Sequence, residues 1–344
     1  LKKTTIKDLA KMLGVSTSTV SRALNNHPDI SPELTQKIQE VAKDLHYRPS
    51  PAALQLRRGT NKTIALILPE ITSFFYPSVI HGVDSVLHPL GYNLMILPTY
   101  DRLDYEKENI DIAFDQNVAG VLIAVSKETM DLSHLQRFEP GTTPVILIDK
   151  VKEDAAYTSI TIDDFRVSYQ MVQHLFKTGC TRIAGIFGKA NLLITHLRYK
   201  GFAQALIDLG LPHQEQMVRF VNNSEEARSS TFALMQEVQP DGLSLMTDEI
   251  MLGAMPALNQ LNIRIPEQLG VIGISDGHLP HFTIPSMSHM HHSGFELGSL
   301  SAQKLIQYIN AVNHNLPVPQ PERVKMNVNI VLLNSTKDWQ GKED

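Results

Sequence analysis

Along the first 45 residues, apolar side chains recur at helical spacing in three short blocks. Ile6, Leu9, Ala10 and Leu13 share one face, and Thr5 stands where it can cap that helix ahead of Asp8 in the first turn. Gly14 ends the block by supplying the left-handed backbone of a sharp turn. Val15 fills the turn, and Ser16 is placed to cap a second helix. There Val20, Ala23 and Leu24 lie on one face, with Thr17, Ser18, Ser21 and Arg22 opposite. Ser31-Pro32, a cap followed by proline in the first turn, opens a third helix that buries Leu34, Ile38, Val41 and Leu45. Three short helices with a glycine turn between the first two predict a helix-turn-helix.

After Asn61 the pattern changes. Ile64–Leu68 is a short continuous apolar run, and similar runs recur at 94–97, 121–125, 145–148, 183–187, 243–246 and 271–274. Helical stretches such as Val79–Leu90, Tyr169–Phe176 and Gly201–Leu209 lie between them. Alternating buried strands and helices predict parallel sheets with helices on both faces. No glycine-rich phosphate loop follows any of these strands, and no solenoid repeat appears. Between the two regions, PSPAALQLRRG (49–59) is a short helix candidate, with Ser50 as cap, Pro51 in the first turn and Gly59 as terminator. A helix this short does not hold alone in water, so a basic linker and a helix formed only on a partner both remain open.

Composition and charge divide the chain in the same way. Its 344 residues suffice for two sizeable cores, and 42% hydrophobic with 19% charged residues is ordinary for a globular protein. No apolar run is long enough to span a bilayer, and LKKTTIKDLA has no apolar stretch behind its lysines to read as a secretory signal. The single cysteine, Cys180, excludes an internal disulfide framework, so a reducing cytoplasm is expected. Residues 1–60 hold ten Lys/Arg and five Asp/Glu, while the remainder holds 21 and 31. A small basic head on an acidic body is the pattern of a polyanion-binding module.

That charge gives the run GVSTSTVSRALN (14–25) a chemical reading. A helix entering the major groove brings its N-terminal residues close to base edges and phosphates. Short Ser and Thr side chains permit that approach and can donate or accept, and Arg22 is a fork suited to guanine O6 and N7.

TIKDLAKMLGVSTSTVSRALNN, followed by the third helix and YRPSPAALQLRRG, resembles the DNA-binding headpiece of the LacI/GalR family of bacterial repressors, and the resemblance continues over essentially the whole chain. It implies an all-α helix-turn-helix headpiece (1–48) and a hinge helix or linker (49–61). Behind them it implies an α/β periplasmic-binding-protein-like core (62–336) of two doubly wound parallel-sheet lobes, and a polar tail (337–344). The first lobe would comprise about 62–162 and 292–324, the second 163–291 and 325–336. Thr17, Ser18 and Arg22 would read bases, and Thr5, Ser16, Ser21 and Asn25 would contact phosphates. In the hinge, Leu56 would wedge into the minor groove, Ala53 would permit close backbone approach, and Arg57 and Arg58 would meet phosphates.

The same resemblance places the ligand between the lobes, at the carboxyl ends of the strands. Phe75 and Tyr76 would wall the pocket, Asp149 and Asp163 would accept hydroxyls, and Arg198 in RYKGF would be the ligand-binding arginine. Asn223, Thr247, Asp248 and Ser275 stand at further contact positions. Thr247 replaces the family's usual Asn, Ser275 its first Asp, and Asn223 a stacking aromatic. With Lys150 nearby, the ligand is either a neutral sugar or an anionic derivative, a sugar acid or sugar phosphate. The expected protein is a ligand-controlled transcriptional regulator, a repressor working as a homodimer on a pseudo-palindromic double-stranded operator; the competing reading is a solute-binding protein of the same fold. No nucleophile–base set or cofactor motif calls for an enzyme or a cofactor. His278, His281, His289, His291 and His292 crowd together, but SMSHMHHS coincides with a strand leading back across the lobe hinge. Alternation there sends neighbours to opposite faces, so no metal site is expected. No membrane partner is expected.

Overall fold

Capping chemistry sets the N-terminal helices. The computed structural model describes residues 4–45, 47, 61–72, 74–138, 142–152 and 156–337, which fall into two compact units, 1–61 and 62–344. In the first, α1 (Ile6–Leu13) begins at a capping box: Thr5 Oγ1 accepts from the Asp8 amide, and the Asp8 carboxylate accepts from the Thr5 amide at 2.9 Å. Gly14, at φ 65°, ends it. α2 (Thr17–Leu24) starts under Ser16, whose hydroxyl accepts from the Thr19 amide at 3.1 Å. α3 (Pro32–Asp44) starts under Ser31. Leu9, Val20, Ala23 and Ile38 are fully buried where the three helices meet, and burial of Leu9 and Ile38 contributes roughly 1.5–3 kcal/mol each. The hinge expectation at 49–59, with Ala53, Leu56 and Arg57, lies outside the described residues, as does the tail beyond Lys337.

The second unit holds two six-stranded sheets. The first contains β1 (Thr63–Leu68), β2 (Asn93–Pro98), β3 (Gly120–Ile123), β4 (Val145–Ile148), β5 (Thr158–Ile162) and β11 (Arg323–Met326), all parallel, in the order β11-β5-β4-β3-β1-β2. The second contains β6 (Ile183–Phe187), β7 (Val218–Phe220), β8 (Gly242–Leu245), β9 (Gly270–Ser275), β10 (Ser288–His291) and β12 (Asn329–Val331), in the order β12-β10-β9-β8-β6-β7. Only β12 runs antiparallel to its neighbour. Helices α4 (Phe75–Leu87), α5 (Leu103–Asp115) and α10 (Gly294–Asn313) belong to the first lobe. Helices α6 (Asp164–Lys177), α7 (Leu193–Asp208), α8 (Ser224–Glu237) and α9 (Asp248–Gln260) belong to the second. β1, β3, β6 and β9 are buried along almost their whole length because helices cover both faces, which is why they read as continuous apolar runs.

Three chain crossings join the lobes: between β5 and α6, between β10 and α10, and between β11 and β12. The third falls at residues 327–328, beyond the expected boundary at 324/325, because β11 stays in register with β5 through Met326↔Ile162. The histidine-rich stretch forms the strand expected there. Ser288–His291 is a full strand of the second sheet, paired with β9 and β12, and the return to the first lobe comes only after His292. Helices α4 and α10 touch backbone to backbone at Gly82 and Gly298, where a Cβ would overlap the carbonyls of Phe295 and Val79.

Candidate functional site

In the N-terminal unit, α2 turns two faces in opposite directions. Val20 and Ala23 are fully buried, Ser21 is half-buried, and Thr17, Ser18 and Arg22 are exposed. The Ser16 hydroxyl, while capping, also bonds the hydroxyls of Ser18 at 2.7 Å and Thr19 at 2.8 Å. The run is therefore a linked set of hydroxyls around the helix N-terminus. Thr5 is held in its capping box, and Asn25 Nδ2 donates to the Ser21 carbonyl at 2.6 Å. Arg22 meets Asp29 only at 3.5 Å, with both side chains more than half exposed, an ion pair loose enough to be exchanged for another anion.

In the core, the carboxyl ends of the strands in both sheets bring a second group together. Tyr76, buried in the second position of α4, donates its hydroxyl to Asp149 Oδ2 at 2.7 Å. Burial, reinforced by the Asp149 charge, pushes the Tyr76 phenol well above its ordinary range. Asp149 follows β4 with φ 55°, a left-handed conformation that aspartate tolerates. Phe75 lies beside Tyr76 and places its ring 4.6 Å from that of His292. Arg198, on α7, is 5% exposed; its Nε donates to Asp164 Oδ1 at 2.8 Å and its Nη1 to the Met246 carbonyl.

Three buried polar atoms lie at the adjacent ends of β8, β9 and β10 with no hydrogen-bond partner among the described residues: Asp248 Oδ1, Asp276 Oδ2 and His292 Nε2. Burial raises the Asp248 carboxyl to about 6, a shift that the Ser275 hydroxyl opposes and the Asp276 charge assists. Burial lowers His292 to about 4; Asp149 pulls its pKa up and Arg198 pushes it down, so the imidazole is neutral near pH 7. Phe74 stacks on His278 at 6.4 Å, and Asn191 Nδ2 donates to the Lys127 carbonyl at 3.4 Å, so the lobes touch across this cleft.

The structure sorts the residues expected there. Phe75, Tyr76, Asp149, Arg198, Asp248 and Ser275 come to the facing ends of the two sheets. Asp163 is exposed and caps α6 by accepting from the Arg166 amide at 3.0 Å, and its neighbour Asp164 meets Arg198. Asn223 is exposed and caps α8, and Thr247 caps α9. Lys150 is held 3.4 Å from the Asp101 carboxylate. Asp164, Asp276 and His292 are the members that sequence reasoning missed. The Asp163-Asp164 doublet was the only local signal, since the first carboxylate of such a pair is free to cap and the second to turn inward. Among the described residues no cluster of three or more His, Cys, Asp or Glu is arranged to hold a metal ion, and no helix is long and apolar enough to cross a membrane.

Two family sequence models match. "Bacterial regulatory proteins, lacI family" matches residues 5–50, and "Periplasmic binding proteins and sugar binding domain of LacI family" matches 61–328. The chain is 26% identical over 336 residues to the HTH-type transcriptional repressor PurR of Actinobacillus pleuropneumoniae serotype 3 (strain JL03), covering 97% of this chain and 98% of that protein. Its fold matches the lac repressor dimer bound to operator and the anti-inducer ONPF with a TM-score of 0.84 at 20% identity, covering 97% and 99% of the two chains. It matches the transcriptional regulator CelR–cellobiose complex at 0.71 and 21% identity, covering 97% and 100%. A helix-turn-helix followed by two lobes of identical strand order, with both family models matching in sequence, places the chain in the LacI family of bacterial regulatory proteins.

Proposed function

We propose that this protein is a sequence-specific transcriptional repressor, acting in the cytoplasm as a homodimer, whose hold on DNA is set by a small hydroxyl-rich effector bound between the core lobes. The observation that carries this reading is the pairing within one chain of an exposed Ser/Thr/Arg helix face with a cleft whose buried Asp248, Asp276 and His292 atoms lack partners. Thr17, Ser18 and Arg22 are the base readers in this reading. Thr5, Ser16, Ser21 and Asn25 hold the helix N-terminus against phosphates, with Leu56 and Ala53 at the minor groove between the two headpieces and Arg57 at phosphates beside it. The lac repressor structure is a dimer on operator, and the PurR relatives are named repressors, which supports two-fold symmetric binding to a pseudo-palindromic site.

Within the cleft, Asp248 and Asp276 would accept effector hydroxyls, and Phe75 would cover an apolar face of the ring. Arg198 is already satisfied by Asp164 and Met246, and Lys150 by Asp101, so this part of the cleft suits a neutral polyol surface. CelR is described with cellobiose bound, which supports a sugar-type ligand. The test is selection of genomic fragments by the purified full chain, followed by footprinting. A protected two-fold pseudo-symmetric site, bound at least about a thousandfold more tightly than bulk DNA, is expected. Binding with no sequence preference would overturn the reading.

A further inference from the structure

Beside the polyol part of the cleft, at the β5–β11 edge, a cavity of about 100 Å3 opens between the lobes. Its floor breaks the rule that parallel strands in α/β folds are apolar on both faces. One face of this strand pair is apolar, with Ile160, Ile162, Val324 and Met326 packed into the lobe cores. The other carries Ser159 and Thr161 of β5 in register with Arg323 and Lys325 of β11, and all four line the cavity. Lys152, on the segment after β4, adds a third cation to the lining.

These cations outnumber the two acids that line the cavity, Asp149 and Asp164. Among the described residues neither Lys152 nor Arg323 has a carboxylate partner. Lys325 Nζ donates only to neutral oxygens, Thr161 Oγ1 at 2.8 Å and the Ile162 carbonyl at 3.1 Å. Of these acids, Asp164 is paired with Arg198 and Asp149 accepts from the neutral Tyr76 phenol, so the three cations leave the lining with a net excess of positive charge. The opposite wall is the first turns of α7, through Leu193, Ile194 and Leu197. That 16-residue helix starts with no side-chain cap and no acidic residue in its first turn, so its partial positive charge is uncompensated by side chains.

We propose that this cavity is an anion subsite that takes the phosphate monoester of a phosphorylated effector, with the hydroxyl-bearing part extending past Asp149 to Asp248 and Asp276. The proposal rests on the reading of the cleft as the effector site. Three cations and two hydroxyls suit a dianion with several acceptor oxygens better than a single carboxylate.

The test is calorimetric titration of the full chain at constant ionic strength, wild type against Lys152→Gln/Arg323→Gln. The probes are inorganic phosphate, glucose, glucose 6-phosphate and gluconate, with operator affinity measured alongside. Both substituted residues are at least partly exposed and, among the described residues, have no carboxylate partner, so the melting temperature of the variant should stay at the wild-type value. Wild type should bind inorganic phosphate, and should bind the phosphorylated sugar about tenfold or more tightly than its parent. In the variant both preferences should disappear. Equal phosphate binding by wild type and variant, including none by either, overturns the subsite. Gluconate favoured as strongly as the phosphate ester overturns the choice of phosphate. A neutral sugar that shifts operator affinity while phosphate does nothing overturns the subsite and leaves the effector reading standing. Phosphate bound through Lys152 and Arg323 without any change in operator affinity supports the subsite and counts against the effector reading.

Discussion

Replacing Arg198 with methionine separates the ligand contact proposed for it from the counter-charge it provides to Asp164. Its partner Asp164 is 4% exposed, and burial holds the Asp164 carboxyl above its ordinary range even with the guanidinium beside it. Without Arg198 the carboxylate is stranded in the core, and breaking a buried ion pair in this way costs about 3–5 kcal/mol. At about 2–3 °C per kcal/mol for a unit of this size, Arg198→Met should melt about 6–15 °C below wild type. The pH dependence has a fixed sign. Because the folded pKa of Asp164 lies above its unfolded value, protonation favours the folded state, and that stabilisation is lost as pH rises through the folded pKa. The Arg198→Met penalty is therefore smaller near pH 5 than near pH 8. Adding Asp164→Leu removes the stranded charge, so the double variant should recover most of the loss. Thermal melts of wild type, both single variants and the double variant at the two pH values give the answer. An Arg198→Met protein melting with wild type at pH 8, or a double variant no more stable than Arg198→Met, refutes the reasoning. The double variant is also the appropriate one for asking whether Arg198 touches the effector, because it removes the guanidinium without the stranded carboxylate.

Asp248 gives a second pH test: with its carboxyl raised to about 6 by burial, Asp248→Asn should raise the melting temperature at pH 8 by the equivalent of up to about 3 kcal/mol. It should do little near pH 4, and an equal effect at both pH values would count against a buried charge. Arg22→Ala should weaken operator binding by about 1–3 kcal/mol and relax one base position in a selection experiment. Uniform weakening on all sequences would make Arg22 a phosphate contact instead. Gly298→Ala drives a methyl into the Val79 carbonyl and should cost about 1–3 kcal/mol or more in thermal stability, whereas Gly210→Ala, with no atom within 4 Å but φ 65°, should cost only about 1 kcal/mol. Equal costs would mean that the α4–α10 contact is looser than its geometry.

The headpiece was legible in the sequence because its signals are local. Thr5, Gly14, Ser16 and Ser31-Pro32 each act within one helical turn, and the structure uses them as caps and stop. The fully buried strands were legible for a related reason, since coverage on both faces leaves only apolar residues. β5 and β11 were not among the apolar runs, because TSITI and RVKM give one face to the cavity and so alternate. The site was harder to read, and for a chemical reason. At a strand–helix junction the oxygen that accepts a ligand hydroxyl and the oxygen that accepts a helix amide come from the same residue types. Asp163, Asn223 and Thr247 proved to be caps, and only the fold shows that Asp164 is the carboxylate facing Arg198. His292 was weighed as part of a histidine cluster. Its burial against Phe75, with Nε2 unpartnered, depends on a crossing point that spacing could not locate.

In the proposed function the cleft and the headpiece report on each other. Such coupling is reciprocal, so an effector that changes operator affinity by some factor must have its own affinity changed by the same factor when operator is bound. Titrating the effector into the full chain, with and without saturating operator DNA, measures this directly. Two effector affinities differing by about 5–150-fold are expected, matched by the same ratio in operator affinity. A ligand held in the cleft by Asp248 and Asp276 with one affinity, whether or not operator is bound, would contradict that coupling.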